Sequence, residues 1–141
     1  MRVFVTHNAE DLDAYYARAL GELRTIATVT TNPRERDLTT DELIEAASAC
    51  DVIVAHRSTP GEAALFEALP GLVAFLRTAV DISTIDVEAA SAAGVVVARA
   101  DKSFVASTAE LALALTLDAL RNVSESTIEY RAGHQPAQRV G

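Results

Sequence analysis

The chemistry-bearing residues of this sequence gather in four short polar clusters, each directly after an apolar run. Thr6-His7-Asn8 follows the first run. His56-Arg57-Ser58-Thr59 follows the third, Arg77-Thr78-Ala79-Val80-Asp81 the fourth, and Arg99, Asp101 and Lys102 the fifth. The chain is acidic, with 12 Lys and Arg against 20 Asp and Glu and a net charge of −8. Arg57, Arg77, Arg99 and Lys102 thus place four of the 12 basic side chains in these clusters. Such a set suits a small anion, a carboxylate above all. Arginine is also common on solvated loops, and the residues alone leave both readings open. His56 beside Arg57 offers a polar contact or an acid, but the sequence places no carboxylate to orient it, so a plain loop histidine is the expectation. His7 reads the same way.

Other chemistries are poorly served. No His-x-x-x-His or clustered carboxylates point to a metal. No Gly-x-Ser-x-Gly elbow frames a serine nucleophile. Cys50 precedes a strand, at the wrong sheet end for a nucleophile, and reads as core. The six glycines stand at 21, 61, 71, 94, 133 and 141 and form no Gly-x-Gly-x-x-Gly phosphate turn.

The elements that must position the clusters alternate regularly. Apolar runs at Arg2 to Thr6, Thr25 to Thr30, Asp51 to Ala55, Leu72 to Leu76 and Gly94 to Ala98 read as strands. Helical spacing runs from Glu10 to Leu20, with Leu12, Tyr15, Tyr16, Ala19 and Leu20 near one face and Gly21 as a stop. Thr39-Thr40-Asp41-Glu42 is a capping box opening a helix through Ala49. Thr59-Pro60-Gly61-Glu62 is a second box, with proline at the first helical position. Asp86 to Ala93 completes the series. Strand, helix, strand with crossovers of this length predicts a flavodoxin-like α/β fold: five parallel strands with helices on both faces. In such sheets ligands bind outside the carboxyl ends of the strands, where the four clusters fall. The helix starts aim free N–H groups at the same rim.

Composition narrows the class. A chain of 141 residues, 50% apolar and 23% charged, is one domain in length and can bury a core. Its acidity argues against nucleic acid and against an anionic membrane surface. A lone cysteine excludes an internal disulfide. The start is too short and too polar for a signal peptide, and no run approaches a membrane span. A soluble protein of a reducing compartment, the cytoplasm, is expected.

The last third differs. Ser107-Thr108-Ala109-Glu110 is a third capping box, followed by Leu111, Leu113, Leu115, Leu117 and Leu120. A helix apolar almost all round requires cover on nearly every side. Either it lies deep against the sheet or a partner covers it, a second copy included. After Asn122 the sequence turns polar, and Gly133, Pro136 and Gly141 mark an irregular tail.

Four motifs then stand in order: Leu69-Pro70-Gly71-Leu72, Ile85-Asp86-Val87-Glu88-Ala89-Ala90, Ala93-Gly94-Val95-Val96-Val97 and Thr108-Ala109-Glu110-Leu111-Ala112-Leu113. This succession resembles the amino-terminal half of the D-isomer-specific 2-hydroxyacid dehydrogenases. Arg57-Ser58-Thr59 is similar to the loop of their phosphoglycerate-dehydrogenase branch. The resemblance covers nearly the whole chain, and the order of the motifs is more specific than any one of them.

The resemblance implies a substrate domain over residues 1–122, with an interdomain helix at 107–121. Residues 123–141 would be a tail leading toward a Rossmann domain outside this chain. That domain would bind NAD or NADP and supply the Arg, Glu and His of catalysis. The fragment alone would hold no cofactor, carry no catalytic residue and be inactive. The acid's carboxylate would sit on the N–H groups of Val80 and Asp81, beside Ala79 and Arg77. Arg57 and Ser58 would line the substrate side, and Thr108 would lie near the nicotinamide. Asp81 departs from the usual glycine, and Arg99-Ala100-Asp101 from the usual Asn-Thr-Pro. The different reading is a stand-alone flavodoxin-like module that binds an anion or a partner without catalysis. A phosphoacceptor receiver would need acidic residues where Thr6-His7-Asn8 and His56-Arg57 stand.

Overall fold

The computed structural model describes residues 1–136. The chain forms two compact units, Met1–Asp101 and Lys102–Gly141.

The first unit is a parallel sheet of β1 (Arg2–Val5), β2 (Thr28–Thr31), β3 (Val52–Ala55), β4 (Ala74–Arg77) and β5 (Val96–Arg99), in the order β2-β1-β3-β4-β5. Register pairs Phe4 with Ile53, Ile53 with Phe75 and Phe75 with Val97, so these side chains share one face. That face is covered by α3 (Thr40–Ala47), α4 (Ala63–Ala68) and α5 (Val87–Ala92), through Leu43, Ala47, Leu65, Phe66 and Ala90. Val3, Val5 and Val52 point the other way, toward Leu12, Tyr16, Leu20 and Leu23. The predicted α/β sheet with helices on both faces is therefore present. Cys50 packs against the first of these cores, as its sequence position suggested.

Local expectations differ in several places, the second strand among them, which begins at Thr28 and not at Thr25. The first helical stretch does not stop at Gly21. It runs through α1 (Ala9–Asp11), a π-helical segment Leu12–Tyr16 and α2 (Ala17–Ile26). Gly21 is an exposed interior position, where glycine costs roughly 1 kcal/mol relative to alanine; packing of Leu20 and Leu23 carries the helix past it. The π turn inserts a residue and rotates the next turns of the helix, so Tyr16 faces the core while Tyr15 is 79% exposed.

Another difference is at Thr59-Pro60-Gly61-Glu62. The helix there begins only at Ala63, with Glu62 as its N-cap, because Gly61 pairs with Ile85 in a bridge. A Cβ on Gly61 would lie 3.0 Å from Ile85 Cγ2, so a side chain here would press on Ile85. The box at Thr39 is as predicted: Thr39 Oγ1 accepts from the Glu42 N–H, and Glu42 accepts from the Thr39 N–H.

The others lie in the second unit, which holds α6 (Val105–Arg121) and α7 (Val123–Arg131). Ser107-Thr108-Ala109-Glu110 is inside α6 and caps nothing. Ser107 and Thr108 instead donate their hydroxyls to the Phe104 carbonyl, 3.1 and 2.8 Å away. The tail expected to be irregular contains α7, which Asn122 starts from a left-handed conformation (φ 56°) and Asp118 caps through Ser124. Gly133 and Pro136 come after this helix, and Gly141 lies outside the described residues. By length and composition Lys102–Arg121 would also suffice to cross a bilayer, contrary to the expectation that no segment approaches a span.

Candidate functional site

Strand order reverses between β1 and β3, and in open parallel sheets this crevice receives ligands. A cavity of about 400 Å³ opens there, lined by Asp11, Tyr15, Tyr16, His56, Arg57, Thr78 and Ala79. Two polar clusters named from the sequence line it, and the first, Thr6-His7-Asn8, is hydrogen-bonded to both.

The floor is a buried network. Thr6 Oγ1 accepts from the His56 N–H at 2.9 Å and shares a hydrogen bond with Thr59 Oγ1 at 2.6 Å. His7 lies in the loop after β1 but is not solvated: it is 1% exposed, with Nε2 3.0 Å from Thr78 Oγ1 and Nδ1 buried without a partner among the described residues. Thr78 Oγ1 donates to the Ala55 carbonyl, so Nε2 carries the proton that reaches it. Burial, and then the neighbouring His56, push the His7 pKa down to about 4, so it is neutral near pH 7.

His56 is better supported than its sequence context suggested. Asp11 Oδ2 lies 3.7 Å from Nε2, Asp37 Oδ1 3.8 Å from Nδ1, and Ser58 Oγ 2.7 Å from Nδ1. The expectation of no orienting carboxylate is thus corrected; both acids come from segments remote in sequence. His7 and His56 stack edge to face, centroids 5.1 Å apart.

Of the residues singled out from the sequence, Arg57 and Ala79 line the cavity. Ser58 is turned to His56. Arg77 ends β4 and is 3% exposed; its guanidinium donates to the carbonyls of His56, Arg57 and Thr59 and to Thr84 Oγ1. It is committed to the protein's own backbone and offers a ligand no free terminal N–H.

The Ala79, Val80 and Asp81 N–H groups donate to nothing among the described residues. Their loop is held from the other side: the Ala79 carbonyl accepts from the Ala100 N–H at 3.2 Å and the Val80 carbonyl from Arg99 Nη1 at 2.9 Å. Asp81 turns its carboxylate to the Ser83 N–H and Oγ at 2.9 and 3.0 Å, which hold its pKa below the ordinary range.

Thr108 belongs to the other unit and is bonded within α6. The sequence holds no glycine-rich phosphate turn.

Sequence reasoning missed Asp11, Tyr15 and Tyr16. Asn8 caps the helix by accepting from the Asp11 N–H, and that Asn-x-x-Asp spacing marked where the helix begins. The π turn that brings Tyr15 to the cavity left no such mark.

The phosphoglycerate dehydrogenase of Methanocaldococcus jannaschii is 33% identical over 102 residues, covering 72% of this chain and 20% of that protein. That of Mycobacterium leprae is 36% identical over 91 residues, covering 64% and 17%. Among solved structures, the phosphoglycerate oxidoreductase of Vibrio cholerae superimposes with a TM-score of 0.63 at 26% identity, over 97% of this chain and 42% of that one. The chain thus spans less than half the length of each. The family described as D-isomer specific 2-hydroxyacid dehydrogenase, catalytic domain, matches residues 3–134, a span that takes in the sheet, the cavity and both helices of the second unit, and the chain belongs to that family.

Proposed function

We propose that these 141 residues form the acid-binding wall of an oxidoreductase that interconverts a 2-hydroxy acid and its 2-keto acid with NAD or NADP. The observation that carries this reading is the row of free N–H groups at Ala79, Val80 and Asp81, beside a cavity that also presents Arg57 and His56. Backbone donors fixed in place suit a carboxylate, since their orientation needs no further ordering when the anion arrives. Arg57 and His56 would meet the far end of the acid, and Ser58 sets the tilt of His56. His7, neutral and buried, supports Thr78 at the cavity floor without adding charge.

No hydride or proton step is assigned to residues of this chain. The nicotinamide and the groups that move the proton come from outside the 141 residues, and the chain by itself neither holds the dinucleotide nor turns over. Its partners are therefore a small carboxylate and either a nucleotide-binding domain or a second copy of the chain. Neither nucleic acid nor a membrane is a proposed partner, and the cytoplasm is the proposed location.

Titration with sodium pyruvate, followed through the ¹⁵N–¹H signals of the isolated chain, tests the reading. Saturable shifts centred on Ala79, Val80 and Asp81 are expected, with no change in NADH fluorescence on adding the chain. Silent amides would overturn the acid site, and micromolar NADH binding would overturn the division of labour.

A further inference from the structure

We propose that Arg77 is a positioning residue, which fastens the 56–59 loop to the 78–84 loop and so sets the spacing between the cationic wall of the cavity and the free amides, without touching the acid. The inference rests on the carboxylate reading and goes beyond it.

A guanidinium has five N–H donors. In Arg77 the four terminal ones are engaged: Nη1 donates to the His56 carbonyl at 2.6 Å and to the Arg57 carbonyl, and Nη2 donates to the Thr59 carbonyl at 2.8 Å and to Thr84 Oγ1 at 3.0 Å. The fifth, on Nε, is buried and unpartnered. No terminal donor is left for a ligand and Nε is buried, so the group acts through what it holds. What it holds is the backbone of the residues that present His56 and Arg57 to the cavity. Its own backbone leads directly into Thr78, Ala79 and Val80. One side chain therefore joins both walls.

Arginine is suited to this and lysine is not. Three carbonyls and a hydroxyl are reached by a rigid planar fork, whereas an ammonium is a single point on a flexible stem. Charge matters as well. Among the described residues no carboxylate is bonded to the guanidinium; Asp81 acts on it only at a distance and spends its oxygens on Ser83. The positive charge therefore has no bonded counter-ion, on a residue two positions before the first of the three free amides, and it favours an anion there.

The bases of the two loops are tied independently. The Gly61 N–H donates to the Thr84 carbonyl at 3.0 Å, and the Asp86 N–H to the Gly61 carbonyl at 2.7 Å. Loss of Arg77 therefore releases the carbonyls of the 56–59 loop, while these ties and the Thr6 bonds to His56 and Thr59 persist.

The test compares pyruvate titrations of the unaltered chain, Arg77→Lys and Arg77→Gln by ¹⁵N–¹H spectra. Both variants are expected to bind about tenfold more weakly, lysine failing to rescue because it keeps the charge but not the fork. In the unaltered chain the Arg77 Nη protons are expected to be protected from exchange and unmoved by pyruvate, while the Val80 and Asp81 amides shift. Arg77→Lys binding as tightly as the unaltered chain would overturn the proposal. So would Nη signals that move with the amides, which would make Arg77 a direct ligand. Should both variants lose the dispersed signals of β3 and β4, Thr84→Val removes one anchor alone and is expected to weaken binding two- to threefold; unchanged binding there overturns the assignment. An unaltered chain with silent amides overturns the carboxylate reading itself, whereas a normal response that the Arg77 variants retain overturns Arg77 alone.

Discussion

The sheet unit and the long helix α6 use the same kinds of residue to opposite ends. In the sheet unit Leu43, Ile53, Leu65 and Phe75 are fully buried. In α6, Leu111, Leu113, Leu115, Leu117 and Leu120 are all at least half exposed. The difference lies in spacing. Leu43 and Ala47 of α3 stand four apart and form one stripe, which a single surface covers. The α6 leucines stand two apart from 111 to 117, about 200° round the helix at each step, so no single surface covers them. Apolar content shows that a segment needs cover, while its period shows how many sides must be covered.

The largest expected effect on this contrast comes from the sheet. Phe75 sits where β3, β4 and β5 meet α4, its ring edge to face with Phe66 at 5.8 Å. Phe75→Ala removes a ring that the packed helices cannot replace, and is expected to cost about 3–5 kcal/mol in urea unfolding. A cost below 1 kcal/mol would mean that this core is not the cooperative unit.

An intermediate effect comes from His7, a polar group buried in the same unit. Its folded pKa, about 4, lies below the ordinary 6.5, because burial and His56 disfavour the cation while Asp11 and Asp37 only partly offset them. The neutral form is favoured on folding. Its contribution is complete above pH 6.5 and declines as pH falls from there toward 4. Stability is expected to drop by on the order of 2 kcal/mol between pH 7 and pH 4.5, with solvent screening allowed for. His7→Gln should flatten that dependence. An equally steep profile in the variant would assign the slope to other groups.

These contrasts also mark how much the sequence made legible. Val52-Ile53-Val54-Ala55 reads as a strand buried on both faces because nothing in it is polar, and parallel pairing comes from the crossovers. The cluster after it was correctly placed at the sheet edge. What its side chains do was not legible. Arg77 looked like a ligand because arginine suits carboxylates, yet its terminal donors are taken by carbonyls 18 to 21 residues earlier in the chain. His56 looked unsupported because Asp11 and Asp37 reach it only through the fold. Strand and helix are written in neighbours, whereas hydrogen-bond partners in a parallel sheet are set by crossovers. The π turn at Leu12–Tyr16 shows a local failure of the same kind, since one inserted residue sends Tyr15 off the predicted face.

The smallest effect on stability is expected in α6. Leu113 and Leu117 are 61% and 50% exposed, on one side of the helix four residues apart. Replacing both with glutamate forfeits little buried area and keeps good helix formers, so unfolding of the chain should change by no more than about 0.5 kcal/mol. Association should respond instead. Covering even ~400 Å² of this surface is worth on the order of 10 kcal/mol before entropy costs, at about 25 cal/mol per Å². That is enough for two copies to pair through the helix when no other domain covers it. The unaltered chain is then expected to sediment as a dimer or larger species at tens of micromolar, and the doubly substituted chain as a monomer of equal stability. A monomeric unaltered chain would refute the pairing. A stability loss comparable to that of Phe75→Ala would show that these leucines are buried after all, and that α6 and the sheet unit do not differ in the way their spacing implies.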